Sequence, residues 1–136
     1  MGNQIIISIS REYGSEGHTI AKQIAKDLGL PFYDRNMLDR CSETSLKEYD
    51  SLVSIFVTGN KDRKLKHVME KFSLSKTAAT AKITKHDAYR RRYHNHYSDF
   101  KWGDSRNYDV CINSSRIGVE GTAKLLKKFV ESVKES

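Results

Sequence analysis

The stretch Ser10-Arg11-Glu12-Tyr13-Gly14-Ser15-Glu16-Gly17-His18-Thr19 sits between an isoleucine-rich run and a helical pattern, and its reading decides the fold. Upstream, Gln4-Ile5-Ile6-Ile7-Ser8-Ile9-Ser10 is dominated by β-branched residues. It predicts a strand, central in a parallel sheet and covered on both faces. Downstream, residues 18–28 predict a helix with Ile20, Ala21, Ile24, Ala25 and Leu28 on one face and Gly29 placed to end it. Strand, glycine-bearing loop and helix form the setting in which backbone N–H groups and the positive end of a helix dipole hold phosphate. Gly14 and Gly17 let the chain turn and approach closely, with Ser15 between them. The usual lysine does not follow, so GxxxxGK[ST] is not matched. His18 stands near that place, and Arg11 and Lys22 are the other nearby cations. Glu16 puts negative charge where phosphate oxygens would lie. The loop alone therefore reads either as a phosphate site or as a strand-to-helix turn that needs small residues.

The remaining elements continue the alternation. Leu30-Pro31-Phe32-Tyr33-Asp34 predicts a short second strand with the only proline at its entrance, and residues 36–46 a helix. Residues 51–58 predict an apolar strand that Gly59-Asn60 ends. Residues 61–72 predict a helix with Leu65, Val68, Met69 and Phe72 on its apolar face. Ser75 is a good N-cap for a long basic and aromatic helix reaching Tyr97. A strand over 108–113 and an amphipathic helix over 119–133 close the chain, the helix with Leu125, Leu126, Phe129, Val130 and Val133 as its buried stripe. The alternation predicts a layered α/β domain with a largely parallel sheet.

With 136 residues the chain suits one domain with a single core. Lys and Arg number 24 against 17 Asp and Glu, a formal charge of +7, which suits anionic partners: nucleotides, nucleic acid or acidic membranes. Cys41 and Cys111 form no C-x-x-C and predict reduced thiols in a cytoplasmic protein. No charged-then-apolar leader precedes the first strand, so no secretory signal is expected. No apolar run approaches the ~20 residues of a membrane helix, and no membrane partner is expected. His94 and His96, at i and i+2, face different ways on a helix and predict no metal site.

Two longer segments resemble one family. The start, "IISISREYGSEGHTIAKQIAKDLGLPFYDRNML", is similar to the start of the cytidylate kinase-like family, nucleoside-monophosphate kinase relatives whose loop reads like "SREYGSGG" followed by a basic residue. The distal half, from "VSIFVTGNKDRKLKHVMEKF" through the basic helix and the Lys101-Trp102-Gly103-Asp104 turn to the strand ending at Ser115, resembles the same family's distal half. The absent lysine is then a family trait, and Glu16 and His18 are departures of this sequence. The resemblance implies a three-layer P-loop-kinase-like α/β domain over 1–136 with a mostly parallel sheet, shortened in the middle. It implies ATP with Mg²⁺ and phosphoryl transfer to a pyrimidine nucleoside monophosphate such as CMP.

Such transfer is mostly positioning plus neutralisation of charge. The resemblance therefore singles out Arg11, Gly14, Ser15, Gly17, His18 and Thr19 as the phosphate cradle, with the Ser15 or Thr19 hydroxyl near Mg²⁺. Arg63 opens the helix after "VTGN", where relatives carry an arginine near the ATP side. Asp87 and Arg90 match a D-x-x-R pattern in the lid, here the basic segment of about 76–104, where arginine meets the transferring phosphate. Asp34 and Arg35 match the "FYDR" that leads to the monophosphate side. Read alone, Asp87 is equally a helical partner of Arg90 or Arg91, Arg63 a surface residue and Asp34 a turn residue. Trp102 and Tyr108 read as packing residues rather than nucleobase platforms.

The middle is short. Family members carry a long segment after "FYDR", including the helices that cover the monophosphate and a further central strand, where this chain has only about residues 35–50. Without that strand the first strand keeps an open edge. A natural or engineered short form, a homodimer paired through that edge, and omitted residues are the three explanations. The short middle and Glu16 motivate an alternative function, a catalytically inactive nucleotide-binding or regulatory module. A second alternative is nucleic-acid binding through Arg90-Arg91-Arg92 interleaved with Tyr89, Tyr93 and Tyr97. A kinase lid explains the same residues, so nucleotides are the favoured partner.

Overall fold

The computed structural model describes residues 5–32, 52–97 and 101–135. In chain order they form strand β1 (Ile6–Arg11), helix α1 (Gly17–Leu28), strand β2 (Leu52–Thr58), helix α2 (Lys61–Phe72), helix α3 (Lys76–Tyr97), a 3₁₀ turn (Ser105–Asn107), strand β3 (Val110–Asn113) and helix α4 (Gly118–Glu135). The three strands are parallel in the order β1-β2-β3. The expected α/β class with a parallel sheet is observed. The second strand expected at residues 30–34 is not seen at Leu30 to Phe32, and its end and the helix expected over 36–46 lie outside the described residues.

Register explains the core. Ile7 lies beside Val53, Ile9 beside Ile55 and Arg11 beside Val57. These positions turn to one face, where Val53, Ile55 and Val57 meet Ile20 and Ile24 of α1 and Ala123, Leu126 and Val130 of α4. The other face presents Ser8, Ser10, Ser54 and Phe56, as the period of two requires. Phe56 is packed by Trp102 (ring centroids 5.3 Å apart) and Tyr108 (5.2 Å), so both residues pack as expected.

Among the described strands the central position belongs to β2 rather than β1. β1 has one hydrogen-bonded neighbour among the described residues and is half-buried at every position. The alternation Ile7-Ser8-Ile9-Ser10 is that of a strand buried on one face, and the unbroken isoleucines before it hide this. Two further expectations shift. Leu125 is 52% exposed, because α4 turns Thr122, Ala123, Leu126 and Val130 inward instead. Phe72, at the end of α2, is 40% exposed and lies under the Lys82 ammonium, 4.2 Å from its ring centre. β3 begins at Val110 because Asp109 does other work: its N–H donates to the Ser54 carbonyl at 2.8 Å and its carboxylate accepts from the Ser54 N–H at 2.8 Å.

Candidate functional site

The loop of residues 12–16 leaves the C-terminal end of β1, the end where parallel α/β sheets hold ligands. Its shape follows from its residues. Gly14 has φ +86°, and a side chain there would meet the Lys64 carbonyl oxygen at 3.0 Å and Val68 Cγ2 at 3.2 Å. Glycine therefore both makes the turn and lets the loop lie on α2. Gly17 starts α1 against the stem of Arg11, whose Cβ a side chain would meet at 2.6 Å. Between them Ser15 is buried. Its hydroxyl and its N–H both donate to the Glu12 carbonyl, at 2.7 and 3.2 Å, and its own carbonyl accepts from the Ser114 hydroxyl at 2.6 Å.

Charged groups converge on this loop from two other helices. From α2, Lys64 Nζ donates to Glu12 Oε1 at 2.9 Å, with only 13% of the lysine side chain and 25% of the glutamate exposed. The Thr58 hydroxyl and, at 3.4 Å, the Gly59 N–H donate to the same oxygen. From α3, Asp87 Oδ1 accepts from the Tyr13 N–H at 2.7 Å. Arg90 donates to the Arg11 carbonyl at 3.2 Å, and its guanidinium lies 5.6 Å from the Tyr13 ring centre. His86, one turn before Arg90, stacks on the Tyr13 ring with centroids 4.3 Å apart. Burial and the charges of Lys82, Arg90 and Lys85, against Asp87, hold its imidazole below the usual histidine range, so it is neutral at pH 7.

Glu16 precedes α1 in the left-handed region, φ 63° and ψ 21°, and makes no side-chain cap. Its carboxylate lies 3.5 Å from His67 Nδ1. A non-glycine residue there is strained by about 1–2 kcal/mol, which a glycine would avoid.

Asp87, Arg90, Arg11, Gly14, Ser15 and Gly17 are thus brought together. His18 is set edge-on to Phe32, centroids 5.4 Å apart, and Thr19 is exposed on the first turn of α1. Arg63 is exposed on α2, while Lys64, one residue on, reaches the loop. Asp34 and Arg35 lie outside the described residues. Glu12, Lys64, Tyr13 and His86 were not singled out from the sequence. A signal for Lys64 was available: it stands one turn before the buried Val68, on the inward stripe of α2.

The two carboxylates respond oppositely to pH. Burial pushes Glu12 upward, but the Thr58 hydroxyl, Lys64 and the Gly59 N–H outweigh it and hold the carboxyl below its ordinary value. Burial raises Asp87, with Glu12 adding to the rise and the Tyr13 N–H, Lys64 and Arg90 opposing it. Glu12 therefore contributes stability that is present above its unfolded pKa and lost as pH falls through its lower folded value. Asp87 binds its proton more tightly when folded, so its contribution improves as pH falls from its raised folded value toward 3.8. At pH 7, Glu12→Gln is expected to be less stable than the parent by about 1 kcal/mol. Asp87→Asn keeps an oxygen for the Tyr13 N–H and is expected to equal or slightly exceed the parent. In urea unfolding series the Asp87→Asn difference should shrink as pH falls toward 3.8, and the Glu12→Gln deficit once pH falls below 4.5; a Glu12→Gln deficit that persists at still lower pH would show the residue acts by packing.

Strand, loop and helix with converging cations define a kinase-like α/β protein. The chain belongs to the cytidylate kinase-like family, whose model matches residues 6–45 and 37–116. The two matched pieces overlap over residues 37–45. A solved structure of an uncharacterized protein from Eubacterium ventriosum ATCC 27560 is similar, with a TM-score of 0.86 and 31% identity over 95% of this chain and 99% of that one. No curated protein matches. Among the described residues no helix is long and apolar enough to cross a membrane, and no three His, Cys, Asp or Glu gather as metal ligands.

Proposed function

We propose that this chain binds the phosphates of a nucleotide at the β1–α1 loop and does not by itself transfer a phosphoryl group. One observation carries the reading. The groups that would meet phosphate are already engaged by the chain: Lys64 by the Glu12 carboxylate at 2.9 Å, and the Tyr13 N–H by Asp87 at 2.7 Å. Transfer requires cations and donors aimed in advance at the developing charge, with no rearrangement at the moment of reaction. Binding requires only that phosphate compete for them.

Lys64, Arg90, the Tyr13 N–H and the start of α1 would hold the phosphates of ATP. Ser15 does not suit Mg²⁺ as it stands, because it is buried. Thr19 is the exposed hydroxyl on the first turn of α1. Magnesium supplies charge neutralisation between phosphates when bound.

Phosphoryl transfer from ATP to a CMP-like monophosphate is the second reading. It is favoured by the docking of both Asp87 and Arg90 of the D-x-x-R pattern directly on the loop. Calorimetry with ATP–Mg²⁺ and CMP, beside an ADP-release assay with CMP, UMP and dCMP, separates the two. Heat without turnover supports the binding module; turnover replaces it with the kinase; no heat and no turnover removes both.

A further inference from the structure

We infer that the outward face of α3 is a track for single-stranded nucleic acid. The basic and aromatic residues of this helix form two faces, and the candidate nucleotide site uses only one. Ala79, Ile83, His86, Asp87, Arg90 and His94 recur at helical spacing, with Asp87, His86 and Arg90 on the loop and Ala79 fully buried. Lys85, Tyr89, Arg92 and His96 recur at intervals of four, three and four residues and are all exposed. At 3.6 residues per turn, their centre lies about 140° around the helix from the loop-facing set. A lid that closes on a nucleotide accounts for the first face and leaves the second unexplained.

The second face has the chemistry of a strand-binding surface. Tyr89 is 56% exposed and stacks on Tyr93, centroids 6.3 Å apart, so an aromatic plane stands in solvent. Lys85 precedes Tyr89 by one turn and Arg92 follows by nearly one, so cations flank it along a span of about 16 Å from Lys85 to His96. Alternating cations and aromatic planes let phosphates and bases be met in turn without sequence preference. The formal charge of +7 gives the complementary sign over longer range. No acidic residue interrupts the four positions. An acidic protein surface would match the charge but not use the exposed ring.

This inference is independent of the nucleotide reading. The test is fluorescence anisotropy of a labelled oligouridylate of about 12 nucleotides, titrated at several salt concentrations. Binding is expected with an affinity that falls steeply with salt. The double variant Lys85→Glu with Arg92→Glu should lose roughly tenfold or more and lower the log–log salt slope by about 1.4, two phosphate contacts at about 0.7 each. Tyr89→Ala should weaken binding at least about fivefold with the slope unchanged, as a stacking residue does. Exposed positions leave the fold intact, checked by matching urea midpoints, and Tyr89→Ala stands alone if the double variant does not fold. The inference is overturned by absence of saturable binding at about 50 mM salt, or by a double variant that binds like the parent. Competition by polyglutamate equal to that by unlabelled oligouridylate, with Tyr89→Ala unaffected, would mark a general polyanion surface instead. Loss of binding in excess ATP–Mg²⁺ would place the strand in the loop and likewise overturn it.

Discussion

Gly14→Ala is expected to destabilise the protein by about 2–5 kcal/mol and to abolish phosphate binding. Two terms add. The residue has φ +86°, where an L side chain is strained by about 1–2 kcal/mol. The new Cβ would also sit 3.0 Å from the Lys64 carbonyl oxygen and 3.2 Å from Lys64 Cβ and Val68 Cγ2. Those neighbours are helix backbone and a buried side chain, which cannot swing away, so overpacking adds about 1–3 kcal/mol. Gly29 separates the terms. It has φ +66° but nothing within 4 Å of a Cβ. Gly29→Ala should thus cost only the conformational part, about 1 kcal/mol. Urea unfolding of both variants measures the packing of loop on α2 as the difference. Equal losses would mean the loop does not rest on α2.

Glu16→Gly is expected to raise the affinity for ATP or inorganic pyrophosphate by roughly tenfold and to stabilise the protein by about 0.5–1 kcal/mol. The stability gain comes from relief of the left-handed conformation at φ 63°, partly offset by the greater freedom of glycine in the unfolded chain. Loss of the contact with His67 subtracts little, since the side chains are 34% exposed at His67 and 40% at Glu16. The affinity gain comes from removing a carboxylate at the start of α1, where the helix dipole favours a bound anion. A tenfold change is 1.4 kcal/mol, well within what one unit charge supplies at a few ångströms near a protein surface. Calorimetry checks the affinity and a urea midpoint the stability. A stabler variant with unchanged affinity would mean that phosphate does not reach the start of α1, and would count against the loop as the nucleotide site.

Much of the site was legible as a motif and only part of it as geometry. "SREYGSEG" marks a strand-to-helix loop because glycines in that setting have a conformational reason that local chemistry states. Asp87 and Arg90 were legible as a pair because i, i+3 spacing places them on one helical face. That this face meets the Tyr13 N–H, and that Lys85, Tyr89 and Arg92 turn away, depends on how α3 is docked. Arg63 and Lys64 show the same limit. Both are cations at the start of α2, and only the packing of Val68 beneath the loop decides which one reaches Glu12.

The sequence by itself determined the family, the order of most elements and most of each helix stripe, Leu125 and Phe72 apart, because periodicity and turn chemistry are local properties of the chain. The tertiary structure decided that β2 is central among the described strands, that Lys64 serves the loop, and that carboxylates occupy its donors. The physical reason is that strand order and charge pairing are contacts between distant residues, Tyr13 with Asp87 and Glu12 with Lys64, chosen by packing that no short window contains.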